Sequence, residues 1–177
     1  MLLAKGITLG DTKERFIKDR GLEVFIPEAT AFLQNHPDRI FFPEDLAYSE
    51  GGTRREVSVR DLPLDEMFMD IGPETAKKYA AVINQAKTVF INGPPGAYED
   101  QLFEKGTRTV LDAIASCSGY TVIGGGDTVT AATRFVGLND INYVCTAGGA
   151  MVRFISGMTL PLIQAMEKAY LRDQDTS

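Results

Sequence analysis

Tyr120-Thr-Val-Ile-Gly-Gly-Gly-Asp-Thr-Val129 is the stretch on which the reading of this chain turns. Residues Tyr120 to Ile123 have strand character, three glycines follow, and a helical pattern runs from Asp127 to Val136. Consecutive glycines let the backbone take positive φ and come close to a neighbour or a ligand. The helix that follows aims free backbone N–H groups at the turn. One reading is a tight turn with Asp127 as the N-cap of that helix. The other is a phosphate cradle, where Asp127 faces a hard cation carried by the ligand and Thr128 offers a hydroxyl and an N–H. The loop is neither the Walker pattern nor the dinucleotide fingerprint, because it lacks lysine and its glycines are contiguous.

The same grammar repeats on both sides. Thr88 to Ile91 reads as a buried strand, stopped by Asn92-Gly-Pro-Pro-Gly96. A helix is predicted from about Glu99 to Ser116, with Leu102, Val110, Leu111 and Ile114 on its inner face. Asn142 to Cys145 reads as a strand, and Gly148-Gly149 leads into a helix ending near Ile155. Upstream, Asp65 to Asp70 reads as a short strand. Gly72-Pro73-Glu74 then opens a helix striped by Ala76, Tyr79, Ala80, Ile83 and Ala86. Pro161 starts a last helix before the polar tail Arg172 to Ser177.

Strand, turn and helix in repetition imply parallel strands with right-handed crossovers. The expected architecture is α/β, a Rossmann-like three-layer sandwich with a mainly parallel sheet, in one domain over residues 1–177. In such sheets ligands sit beyond the carboxyl ends of the strands, so three glycine-rich turns are expected along one sheet edge. The first third is less regular. It offers a helix from Ile26 to about Asn35, a strand at Arg39 to Phe42, and a hairpin through Ser49 to Arg54 into Glu56 to Val59. That hairpin is expected to edge the same sheet.

Charge and composition narrow the function. Acidic residues outnumber basic ones 24 to 18, for a net charge of −6, which argues against nucleic acid and anionic lipid as partners. No apolar run approaches a membrane span and no leader is visible, so the cytoplasm is the expected location. Cys117 and Cys145 are too few for a disulfide framework and read as small core residues. His36 is remote in sequence from both and reads as a helix-end residue. No acyl-transfer arrangement and no metal-ligand cluster stand out. Glu99 is either a carboxylate favoured by a helix start or an acceptor for ribose hydroxyls. Cys145-Thr-Ala-Gly-Gly-Ala150 is either a packing turn or a second anion-friendly helix start. No lysine or arginine lies inside any glycine loop, although phosphoryl transfer needs cationic stabilisation.

Taken together, Asn92-Gly-Pro with Gly96 and Glu99, Lys105-Gly-Thr107, Ile123-Gly-Gly-Gly-Asp-Thr128 and Thr146-Ala-Gly-Gly-Ala150 form an ordered set. In order and spacing they resemble the carboxyl-terminal domain of phosphoglycerate kinases. Gly72-Pro-Glu-Thr75, Lys77-Lys78-Tyr79 and Leu160-Pro161 match as well, and the resemblance runs from about Leu2 to Tyr170. It implies a domain that binds ATP or ADP with Mg2+. It implies Glu99 on the ribose with Pro94 nearby, Gly125, Gly126, Asp127 and Thr128 on the phosphates, and Asp127 toward Mg2+. Backbone N–H groups of Gly126, Gly148 and Gly149 would face the transferred phosphoryl group. Ala147 departs from the family's glycine; Phe68 stands where the family often has glycine near the adenine, and is given no nucleotide role.

The match starts in the middle of the family's nucleotide domain. By that resemblance, the lysine-bearing nucleotide segment and the basic domain for 3-phosphoglycerate lie outside these 177 residues. The chain alone is then expected to bind magnesium nucleotide weakly and to turn nothing over. A homodimer through a bare sheet edge is a further expectation. The alternative is a standalone nucleotide-binding module without kinase activity.

Overall fold

A computed structural model describes residues 1–174. Helices α1 (Asp11–Asp19) and α2 (Ile26–Asn35) open the chain, and His36 ends α2 as predicted, its ring 4.8 Å from that of Phe32. Strands β1 (Asp45–Glu50) and β2 (Thr53–Ser58) form the expected hairpin. Its turn, Gly51-Gly52, has φ of 56° and 76°, the positive values that a tight hairpin needs at both central residues. Strand β3 (Asp70–Ile71) then leads into α3 (Pro73–Gln85).

From there the alternation holds: β4 (Thr88–Asn92), α4 (Lys105–Ser116), β5 (Tyr120–Gly124), α5 (Gly126–Phe135), β6 (Tyr143–Cys145), α6 (Gly148–Ile155) and α7 (Pro161–Gln174). The fold is α/β. Strands β4, β5 and β6 pair in parallel in that order, as the strand-turn-helix repeat predicts. The hairpin does not edge this sheet. It joins β3 in a separate antiparallel sheet of order β2-β1-β3. Arg39 to Phe42 is no strand: Pro43 interrupts the run, and pairing begins only at Asp45. Of the expected strand at Asp65 to Asp70, only Asp70 is in the ladder, continued by Ile71.

Period-two alternation sets the two faces of the parallel sheet. Val89 and Ile123 point into the core, where Ala76 of α3, Val110, Leu111 and Ile114 of α4 and Ala131 and Ala132 of α5 pack on them. Phe90 points the other way, where Met151 of α6 approaches the same spot beside Gly124. Tyr120 and Tyr143 on this second face are about half exposed.

Two buried carboxylates tie the sheets and helices together. Asp45 accepts from the N–H groups of Glu74 and Thr75 at 3.0 and 2.8 Å, capping α3 from a distant strand. It takes the place of a cap that Gly72 has no side chain to make; a Cβ at Gly72 would fall 2.1 Å from Asp45 Cγ. Asp70 is the second. Its carboxylate accepts from Arg54 Nη1 of the hairpin at 2.9 Å and from the N–H of Gly106 in α4 at 2.9 Å. Arg54 also donates to the carbonyls of Leu102 and Ile71. Both side chains are out of solvent, at 7% and 0% exposure. Burial is the largest influence on the Asp70 carboxyl and holds its pKa above the ordinary value. The Gly106 N–H, Arg54 and the Ile71 N–H pull the other way.

Removing one member of a buried pair strands the other charge, which costs about 3–5 kcal/mol. Asp70→Ala and Arg54→Ala should each lose about that much stability in urea denaturation. The double variant should lose clearly less than their sum.

Candidate functional site

The three glycine turns leave the parallel sheet at one edge. Asn92 lies level with Gly124, and Gly124 with Cys145, so all three strands end together. The turns are locked to one another. The Gly93 N–H donates to Thr128 Oγ1 at 2.7 Å, and the Gly125 N–H to the Cys145 carbonyl at 2.9 Å. Gly148 packs directly on Gly125: a Cβ there would stand 2.6 Å from Gly125 Cα and 2.5 Å from Asn92 Oδ1. Gly125 itself has φ of 90°, a conformation that favours glycine.

Two helices start at this junction. The first intrahelical bonds run from Val129 N–H to the Gly125 carbonyl and from Met151 N–H to the Ala147 carbonyl, both 3.0 Å. The N–H groups of Gly126, Asp127 and Thr128, and of Gly148, Gly149 and Ala150, therefore precede the first intrahelical donor and have no acceptor within their helix. Space is open beside Gly126 and Gly149. Both helix dipoles present their positive ends here, which makes the junction attractive to an anion without a basic side chain.

The structure revises three local readings. The N-cap of α5 is Gly125, not Asp127, and the helix begins at Gly126, one residue earlier than expected. Asp127 lies in the first turn, exposed, and among the described residues no hydrogen bond or ion pair reaches its carboxylate. Thr128 turns its hydroxyl inward to Gly93 and is 1% exposed, leaving its N–H as the group that faces the turn. Ala147, in place of the family's glycine, has φ of −91° and needs no glycine.

Glu99 is not at a helix start. Asp100 caps a short 3-10 turn at Gln101–Phe103 through the Leu102 N–H at 2.9 Å, and α4 begins only at Lys105. Glu99 sits in the preceding turn, exposed and without a hydrogen-bonded or ionic partner among the described residues. Beside it Tyr98 is 4% exposed, its ring edge-on to Phe135 at 6.2 Å. Burial pushes the Tyr98 phenol up from the usual tyrosine pKa. The carboxylates of Glu99 and Asp127 push it further, against a Thr130 hydrogen bond and Arg134. Glu99, after the first turn, and Asp127, after the second, thus both act on one phenol. Tyr98 was not singled out in the sequence, since nothing local marks it as the residue between them.

Pro94 is half-buried on the same turn. Its neighbours Pro95, Gly96 and Ala97 line a cleft of about 280 Å3 together with Lys13, Phe68 and Met69. Sequence reading missed this cleft because its walls come from separated segments, with Phe68 among them. A larger hollow, about 1070 Å3, lies between the hairpin and the N-terminal segment, and no glycine-turn residue lines it. Among the described residues, no three His, Cys, Asp or Glu side chains group as a metal site, and no helix is long and apolar enough to cross a membrane.

The molecule is thus an α/β protein whose parallel strands end in three interlocked glycine turns, with the exposed carboxylates of Glu99 and Asp127 both acting on the buried Tyr98 beside them. The sequence profile described as Phosphoglycerate kinase matches residues 1–158. The phosphoglycerate kinase of Methanopyrus kandleri is 41% identical over 165 residues, 93% of this chain and 41% of that protein. That of Methanothermus fervidus is 37% identical over 171 residues. The crystal structure of the Pyrococcus horikoshii OT3 phosphoglycerate kinase superposes with a TM-score of 0.85 at 33% identity, covering 96% of this chain and 42% of that one. That of Coxiella burnetii gives 0.77 at 30% identity. The chain belongs to the phosphoglycerate kinase family. It spans about two fifths of the length of these relatives.

Two measurements test this geometry. Gly148→Ala should lower stability by about 1–3 kcal/mol through overpacking, while Gly149→Ala should be tolerated, as thermal melts will register. In an alkaline difference titration of wild type against Tyr98→Phe, the Tyr98 component should have its midpoint above 10.0. Its contribution to stability is fully present below the unfolded pKa and is lost as pH rises through the raised folded value.

Proposed function

We propose that this chain is the nucleotide-holding part of a cytoplasmic phosphoglycerate kinase. The whole enzyme transfers a phosphoryl group between 1,3-bisphosphoglycerate and ADP, giving 3-phosphoglycerate and ATP, a glycolytic step. The observation that carries this is the pairing of two open helix starts with two free carboxylates at the ends of three parallel strands. Polyphosphate suits the first feature, and the sugar and cation of a magnesium nucleotide suit the second.

In this reading Glu99 accepts from the ribose hydroxyls, with Pro94 beside the sugar. The base enters the cleft walled by Pro95, Gly96 and Met69, whose apolar surface suits a flat ring. Backbone N–H groups of Gly125's neighbours Gly126, Asp127 and Thr128 hold the phosphates. The Gly148 and Gly149 N–H groups, with that of Gly126, face the group in transfer. Asp127 fits a hard cation, since its carboxylate is exposed and unpartnered, and it would hold Mg2+ that arrives with the nucleotide. Bound there, the ion would neutralise charge developing on the phosphate oxygens. The turns of this chain supply dipoles and no lysine or arginine. The remaining cations and the 3-phosphoglycerate site belong to the rest of the enzyme, and the 177 residues alone bind without turning over.

Calorimetry with Mg-ADP tests the assignment. Asp127→Ala and Glu99→Ala should each weaken binding about ten- to a hundredfold, the worth of a charge-assisted contact. Chelating Mg2+ should cost wild type more affinity than it costs Asp127→Ala. Affinity unchanged by both substitutions would sink the reading.

A further inference from the structure

Lys13 is out of place by every local criterion. It lies in the first turn of α1, where the helix dipole disfavours a cation. Its side chain lines the small cleft among Leu2, Leu9, Phe68 and Met69. The ammonium has no carboxylate within ion-pair reach among the described residues. It leans on two weak acceptors, the Phe68 carbonyl at 3.3 Å and the Met67 sulfur at 3.4 Å. Burial holds its pKa below the ordinary lysine value, as expected of an ammonium that has given up water without gaining an anion. Its one other contact is the Phe16 ring, whose centroid is 5.4 Å from Nζ, and an ammonium has three donors, so among the described residues no acceptor takes the third N–H. A solvent-directed lysine would swing out of the cleft and cover none of it. This one is held by the loop that forms the cleft wall.

Building on the proposal that this cleft takes the nucleotide base, we infer that Lys13 is a specificity-determining residue that reads the base and favours 6-oxopurines. The chemistry follows from what each purine displays. Guanine and hypoxanthine carry two neighbouring acceptors, O6 and N7, on one edge. Adenine carries N7 beside an amino group, which is itself a donor and opposes the ammonium. A group that can only donate is satisfied by the first pattern and frustrated by the second. With Lys13 present, guanosine diphosphate gains relative to adenosine diphosphate. In a chain with an apolar residue there, that gain is gone.

The test is competitive calorimetry on the 177-residue chain with Mg-GDP, Mg-ADP and tripolyphosphate, in wild type, Lys13→Met and Lys13→Arg. Lys13→Met should shift the ratio of the two dissociation constants toward ADP by roughly three- to tenfold, the worth of one charged hydrogen bond in a half-open site. Lys13→Arg, also donor-only, should keep the wild-type direction, and tripolyphosphate affinity should stay constant across all three. A GDP to ADP ratio unchanged by Lys13→Met overturns the role of Lys13 and leaves the nucleotide site standing. A loss of tripolyphosphate binding equal to the nucleotide loss also overturns it, because Lys13 would then act on charge and not on the base. No binding of either nucleotide to wild type overturns the nucleotide reading and this inference with it. Thermal melts confirm that each variant is folded before its ratio is scored.

Discussion

Asp70 and Arg54 hold the molecule together at the point where its two sheets meet. Arg54 comes from the hairpin, Asp70 from the last strand of the antiparallel sheet, and the Gly106 N–H from the helix that covers the parallel sheet. The pair is dry, so its geometry is set by donors and acceptors that all have to be satisfied at once. Space is set by it too. A Cβ at Gly96 or Gly106 would fall 2.2 Å from Asp70 Oδ1, so the first glycine turn and the start of α4 can close only over a bare backbone. A glycine that sequence alone suggests is there for a ligand is therefore also there for a carboxylate. The exposed Arg54–Glu56 contact adds little by comparison, because water screens it.

The glycine turns carry the same double load. Gly125 and Gly148 touch, and neither has room for a side chain. Gly126 and Gly149 sit in open space, where nothing steric demands glycine. Within one motif, then, some glycines exist for packing and others leave a face bare. The second kind lie where two helices begin, and both helices point their partial positive charge the same way. With no basic side chain in the turns, peptide dipoles alone favour an anion there, and they act against the exposed carboxylate of Asp127.

The alternating strands and helices were legible because each is a local pattern. Leu111 and Ile114, spaced for a helix face, or Val89 and Ile91, spaced for a strand face, need no partner to be recognised. The common edge of the three turns followed from the repeat itself. What was not legible depends on distant residues. The hairpin's membership in its own sheet rests on Arg54 reaching Asp70 and on β3 pairing with β1. Strand β5 runs one residue longer than its local pattern because Gly124 pairs with Asn92 and Cys145 on its neighbours, and α5 starts one residue earlier, at Gly126. Glu99 looked like a helix start because its neighbour Asp100 has the same charge and does the capping one residue on. The cleft was invisible in the sequence, since Lys13, Phe68 and Pro95 are brought together by folding alone.

One line of peptide hydrogen bonds links the hairpin to the first glycine turn. The Met69 N–H donates to the Ala47 carbonyl at 2.8 Å, and the Met69 carbonyl accepts from the Ala97 N–H at 2.8 Å. Ala47 is a central residue of β1, fully buried, and Ala97 closes the turn that carries Pro94 and Glu99. Both bonds meet on Met69, so backbone alone places the Glu99 turn relative to the hairpin, whatever side chains the two carry.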